Sequence, residues 1–159
     1  MAGRLENRTA IITGGAGGIG AATGLLFCQE GARVILVDSD AEAMQRAVSH
    51  IQATVPHACV VAVVADVGKE ETASEVVAQT RMAFGAIDVL ANIAGIRAYE
   101  PLAQARRDTW EKIIAVNLMS YAYFIRGAIA DLRASGRGSI INISSTHAIN
   151  PVPAWDSMM

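Results

Sequence analysis

Apolar residues in this chain fall into short unbroken runs, and most of the runs stop at a glycine or an acidic or amide residue. Thr9-Ala10-Ile11-Ile12 is the first run, rich in β-branched residues, and reads as a buried strand. It leads straight into a glycine cluster, after which Ala21 to Glu30 reads as a helix with Gly31 as its stop. Arg33 to Val37 is a second strand ending at Asp38, and Asp40 is a good N-cap for a helix to about Ile51. Cys59 to Ala65 is a third strand ending at Asp66, followed by a helix from Lys69 to Phe84 closed by Gly85. Ile87 to Ala91 is a fourth strand, running into Asn92-Ile93-Ala94-Gly95. After a loop, a long helical pattern covers about Arg107 to Arg133, with apolar Ile113, Ile114, Val116, Leu118, Met119 and Ile125. Gly136 and Gly138 break it, and Ser139 to Ile143 is a fifth strand leading into Ser144-Ser145. Continuous apolar strands alternating with helices predict an α/β fold, a doubly wound parallel sheet of Rossmann-like type covered on both faces. A single domain over 1–159 is expected, with ligand outside the C-terminal strand ends.

The cluster is Thr13-Gly14-Gly15-Ala16-Gly17-Gly18-Ile19-Gly20. Gly15, Gly17 and Gly20 satisfy G-x-G-x-x-G, while Gly14, Gly18 and Gly20 satisfy T-G-x-x-x-G-x-G. Strand, glycine turn and helix form the setting in which backbone can approach a pyrophosphate and helix N–H groups can meet it. The plainer reading is a turn that packs a helix close to a strand. A Walker-type phosphate loop is excluded, because no Lys-Ser or Lys-Thr pair closes the cluster. Asp38 follows Gly20 at close to the roughly 20 residues expected of a ribose-binding acid. A carboxylate there accepts from ribose hydroxyls and repels a 2′-phosphate. Neither Ser39 nor Gly17 is basic, so NAD is expected over NADP.

Composition narrows the classes. Of 159 residues, 52% are hydrophobic and 18% charged, which excludes disorder. The net charge of −2 comes without a basic stripe, so no nucleic-acid partner is expected. Arg4, Glu6 and Arg8 interrupt the N-terminus, so no signal peptide is expected, and no stretch reads as long enough to span a membrane. Cys28 and Cys59 read as buried free thiols, which fits a reducing cytoplasm. His50, His57 and His147 show no metal spacing, and no metal site is expected.

Taken together, Thr13-Gly14, Gly18-Ile19-Gly20, Asp38, Asp66-Val67, Asn92-Ile93-Ala94-Gly95, Asn117 and Ser144-Ser145 resemble the short-chain dehydrogenase/reductase family. They stand in the family's order across nearly the whole chain. The resemblance implies cofactor-binding roles for Thr13, Gly14, Gly17, Gly18, Ile19, Gly20 and Asp38. It implies that Asp66 meets the adenine amino group and Val67 lines the adenine pocket. It also implies that Asn92, Ala94 and Gly95 pack the fourth strand against the cofactor. Ile93 stands where the family usually has a second Asn. Asn117 would hold a water in the proton relay, and Ser145 would hydrogen-bond the substrate carbonyl or hydroxyl; these two are the expected catalytic residues. Read without the resemblance, Asp66 is a turn cap, Asn117 a solvated or kink residue, and Ser144-Ser145 an ordinary turn. The implied chemistry is hydride transfer between nicotinamide and an alcohol or ketone. A Tyr serves as general acid/base and a Lys one helical turn later lowers its pKa. The family is usually homo-oligomeric.

The pattern departs at its end. Met158 stands at the family's spacing for the Tyr, and the chain runs only to Met159. A thioether cannot relay a proton. Tyr99, Tyr121 and Tyr123 lie elsewhere and are not promoted to that role. With codons that degeneracy permits, a one-base shift near the Val152 codon turns Ser157-Met158-Met159 into Gln-Tyr-Asp, so a frameshifted, truncated family member is expected, with a deliberate fragment or a genuine variant as the competing explanations; sequencing the encoding DNA tests this. The expectation is therefore an NAD-dependent oxidoreductase by family, with this chain itself making no NADH from secondary alcohols. Its rivals are a non-catalytic NAD-binding module and a nucleotide sensor. Arg97, Tyr99 and His147 either face a substrate or are plain surface residues. The long helix carries apolar residues on more than one face, so aggregation or weak self-association is expected.

Overall fold

The computed structural model describes residues 3–98 and 102–146. Within them, the apolar runs form β1 (Thr9–Thr13), β2 (Arg33–Asp38), β3 (Cys59–Val64), β4 (Val89–Asn92) and β5 (Ser139–Asn142). Between them lie α1 (Gly18–Gln29), α2 (Ala41–Thr54), α3 (Glu70–Phe84), α4 (Arg107–Ile114) and α5 (Ser120–Ala134). The strands form one parallel sheet in the order β3-β2-β1-β4-β5. Register aligns Ile11 with Ile35 on one side and Leu90 on the other. The order in which strands are laid down reverses between β1 and β4, the place where doubly wound sheets open a crevice at their C-terminal ends.

Alternation along the strands builds two cores. Ile11, Ile35 and Leu90 pack with Val76 and Val77 of α3 and Phe124, Ala128 and Leu132 of α5. Ile12, Leu36 and Ala91 pack on the other face with Cys28 of α1 and Met44 and Ile51 of α2. The far end of the sheet is tied by polar groups. Asp88 accepts from the Thr9 N–H at 3.0 Å and from Arg137 Nε at 3.1 Å, and Arg8 donates to the Arg137 carbonyl at 3.1 Å. On the outside, Arg81 of α3 bridges to Asp131 of α5 at 2.9 Å.

Several expectations need correction. Helix α1 starts at Gly18, not Ala21, so the end of the glycine cluster is the helix's first turn. The fourth strand starts at Val89, because Asp88 is taken up by the Thr9 and Ser139 backbone just before the ladder. The long helix is not regular: Ala115–Met119 between α4 and α5 is a π turn. Cys59 is exposed, because it opens β3 at the edge of the sheet; only Cys28 is a buried thiol. Burial, and to a smaller degree Cys59, pushes the Cys28 thiol up to about 11. The helical run Arg107–Ala134 is long and apolar enough to cross a membrane by length and composition, contrary to expectation. It is apolar because one face packs on α3 and the sheet while Trp110, Ile114 and Leu118 face outward.

Candidate functional site

A cavity of about 1080 Å³ opens at the C-terminal ends of β1, β2, β3 and β4, a size at the upper end for small-molecule sites. Its floor is the glycine turn. Gly14 has φ +68°, and a Cβ there would meet the Ala94 backbone at 2.8 Å. A Cβ on Gly20 would lie 2.0 Å from the Gly14 carbonyl oxygen. These two glycines are demanded by the protein's own packing. Gly17 and Gly18 are not: a Cβ at Gly17 has only Gly14 O at 3.5 Å, and one at Gly18 meets nothing within 4 Å. Both line the cavity. The first helical bond of α1 runs from the Ala21 N–H to Gly17 O at 2.7 Å, and no side chain caps the turn. The N–H groups of the first turn therefore point, with the positive end of the helix dipole, at a space with no acidic residue in that turn. Ile19 is 61% exposed at the rim.

Asp38 faces this floor. Its Oδ2 accepts from the Ala16 N–H at 3.1 Å and its Oδ1 from the Asp40 N–H at 3.2 Å. Asp66 and the buried Val67 form the next wall. Asp66 Oδ1 accepts from the Gly68 N–H at 2.9 Å, and its carbonyl accepts from Thr72 Oγ1 at 2.8 Å. The turn-cap reading of Asp66 is thus realised, and the same residue lines the cavity.

Thr13 and Asn92 are fully buried behind the wall. Thr13 Oγ1 accepts from the Ile93 and Ala94 N–H groups at 3.1 and 3.2 Å, fixing the turn that presents Ala94 and Gly95 to the cavity. Asn92 Nδ2 donates to Asn142 Oδ1 at 2.8 Å, joining β4 to β5 beside the site. Asn117 sits in the π turn, and its amide closes a two-way clasp on Ile96: Oδ1 accepts from the Ile96 N–H and Nδ2 donates to the Ile96 carbonyl, each at 2.8 Å. The wide turn brings the side chain to that loop, and π turns recur at functional sites. Ser145 lines the cavity at its far end. Tyr121 donates to the Ile143 carbonyl at 2.8 Å, just before that serine, and burial pushes its phenol above the usual range.

The structure thus gathers Gly14, Gly17, Gly18, Ile19, Gly20, Asp38, Asp66, Val67, Ala94, Gly95, Asn117 and Ser145 around one cavity. Arg97 lines it too, whereas Tyr99, His147 and Met158 lie outside the described residues. Sequence reasoning missed Ile96, Lys112 and Val116 as lining residues. A polar Asn in the middle of an apolar helical run was the one signal that this stretch turns toward a site. Among the described residues, no group of three or more His, Cys, Asp or Glu is placed to hold a metal.

The fit to a dinucleotide rests on that floor. Open space where two side chains could have stood, over unpaired helix N–H groups and opposite a carboxylate, matches a pyrophosphate with a ribose beside it.

Comparison with known proteins agrees. A family model described as short chain dehydrogenase matches residues 8–157. The chain is 37% identical over 151 residues to 2,5-dichloro-2,5-cyclohexadiene-1,4-diol dehydrogenase of Sphingobium indicum, covering 95% of this chain and 60% of that protein. It is 35% identical over 146 residues to D-beta-hydroxybutyrate dehydrogenase of Rhizobium meliloti, covering 92% and 57%. L-sorbose reductase of Gluconobacter frateurii, solved with NADPH and L-sorbose, superposes with a TM-score of 0.88 at 30% identity, covering 96% of this chain and 58% of that one. NAD+-bound xylitol dehydrogenase superposes with a TM-score of 0.86 at 25% identity, covering 94% and 57%. The chain spans about 60% of the length of the curated relatives it matches.

Proposed function

The chain belongs to the short-chain dehydrogenase family, a family of nicotinamide-dependent oxidoreductases, and from that premise we propose that it holds NAD in this cavity. The observation that carries the reading is the pair of side-chain voids at Gly17 and Gly18 above the first turn of α1. Pyrophosphate oxygens would take the free N–H groups there, and Asp38 would accept from the adenosine ribose hydroxyls. Asp38 favours NAD, since a 2′-phosphate would bring charge against its carboxylate with neither Ser39 nor Gly17 to offset it. Asp66 and Val67 would take the adenine edge.

The reaction we assign to the family part of this chain is oxidation of an alcohol or reduction of a ketone. When bound, the nicotinamide supplies the hydride acceptor or donor. Ser145 would donate to the substrate oxygen, and Asn117 would hold the Ile96 loop that closes the cavity wall. Thr13 would act through the backbone it fixes, and Asn92 through the Asn142 side chain that it ties to β4. Met158 stands where the family's spacing puts the phenol, so we assign to this chain cofactor binding without measurable turnover. The general acid/base contribution forgone is roughly 100- to 10,000-fold. An exposed Cys59 thiol supports a reducing, cytoplasmic setting.

Calorimetric titration tests the reading. NAD is expected to bind the chain more tightly than NADP, and Asp38→Ala is expected to weaken NAD at least tenfold. Equal affinity for both nucleotides, or none for either, refutes it. NADH formation from a secondary alcohol by the purified chain refutes the assignment of binding without turnover.

A further inference from the structure

We infer that Asp38 is also the clasp that shapes the glycine turn before any cofactor arrives. This deepens the NAD reading above and rests on it for its functional meaning, though not for its geometry. The turn between β1 and α1 has few tethers of its own. Gly17 donates to Gly14 O at 3.1 Å within the turn, and Gly15 donates to Val37 O at 3.0 Å from β2. Ala16 lies between them, at the crest, and its N–H goes to Asp38 Oδ2 at 3.1 Å. The neighbouring strand thus holds two successive residues of the turn, one through backbone and one through this carboxylate. The second oxygen is steadied by the Asp40 N–H at 3.2 Å, so the carboxylate is oriented by the start of α2 as it grips the turn. Charge-assisted bonds of this kind are stronger than neutral ones, and losing the acceptor strands a partly buried N–H.

Asp38 is then a positioning residue as well as a ribose reader. The two roles share one side chain, which has a functional cost. A small neutral residue at 38 removes the repulsion toward a 2′-phosphate and at the same time releases the turn that must grip the pyrophosphate. Changing cofactor choice at this position alone would therefore weaken both nucleotides.

The test compares two neutral variants, Asp38→Ala and Asp38→Asn, in the cofactor-free chain. Asn keeps one carbonyl oxygen for the Ala16 N–H, its amide nitrogen giving up the bond from the Asp40 N–H, whereas Ala keeps neither. Residue-resolved amide exchange by NMR is expected to show Ala16 exchanging at least tenfold faster in Asp38→Ala than in Asp38→Asn, with the amides of β1 unchanged in both. Titration with inorganic pyrophosphate, which has no ribose, is expected to be several-fold weaker for Asp38→Ala than for Asp38→Asn. Equal Ala16 exchange in the wild type and both variants overturns the clasp, as does equal pyrophosphate affinity in the two variants. Failure of NAD to bind the wild type overturns the cofactor reading alone, since the exchange comparison needs no cofactor.

Discussion

Strands β1 and β5 carry similar apolar runs and meet different fates. Every residue of Thr9–Thr13 is buried, whereas every residue of Ser139–Asn142 is exposed. Both are hydrogen-bonded in register to β4. The difference is what lies beside and above them. β1 has a strand on either side and helices on both faces, while among the described residues β5 pairs with β4 alone and Ile140 and Ile141 remain 39% and 38% exposed. An apolar run therefore reports that a segment joins a sheet; its burial is decided by how many neighbours the topology gives it. The site divides along the same line. The floor is built from β1, β2 and α1, in the enclosed half, whereas Asp66 and Ser145 follow the two strands at the ends of the described sheet, β3 and β5, both largely exposed.

The largest test of this contrast is in stability. Ile11→Ala is expected to cost about 2–5 kcal/mol, the range for a buried Ile in a close-packed core. Ile140→Ala, with part of its side chain already in water, is expected to cost about 1 kcal/mol or less. Urea unfolding measures both, and equal losses would break the comparison.

The second test separates glycines that serve the protein from glycines that serve a ligand. Gly20→Ala drives a methyl into the Gly14 carbonyl and is expected to lower both melting temperature and NAD affinity. Gly18→Ala enters open space, so stability is expected to hold or rise by up to ~1 kcal/mol while NAD affinity falls about tenfold. A Gly18→Ala chain that binds NAD normally would remove the basis for the cofactor reading.

A smaller effect sharpens the contrast between the two thiols. Cys28 keeps its proton in the folded chain up to about 11, against an ordinary value of 9.0. The folded state thus holds a proton that the unfolded chain releases, so this contribution is complete below pH 9.0 and fades as pH rises toward about 11. Urea midpoints across that window are expected to fall less for Cys28→Ala than for the parent chain. Near neutral pH, a thiol reagent is expected to label exposed Cys59 fast and Cys28 only on unfolding.

The smallest expected effect concerns the outward face of the long helix. Trp110, Ile114 and Leu118 are exposed at four-residue spacing. Concentration-dependent association is expected by light scattering, and Leu118→Glu is expected to reduce it. A monodisperse monomer at all concentrations would contradict this.

Much of this was legible from residue order. The runs ending at Asp38 and Asp66 and the glycine cluster gave the strands, the crevice and most of its lining, because local pattern and sheet topology agree there. Three features were not legible, each for a tertiary reason. The helix beginning at Gly18 defies helix propensity and is held by backbone packing against Gly14. Cys59 looked like a core residue until β3 proved to be an edge. The π turn exists with Asn117 clasped to Ile96, a partner 21 residues earlier that no periodicity announces.

That wide turn has a further effect on the second half of the chain. It admits one residue more than an α-helix would, and one residue is about 100° of rotation. It therefore acts as a phase adjuster between two contacts. Upstream, the helix must offer Asn117 to the Ile96 loop; downstream, it must aim Phe124, Ala128 and Leu132 into the core. Deleting a single residue between Ala115 and Met119 would let the helix keep one of these alignments and forfeit the other.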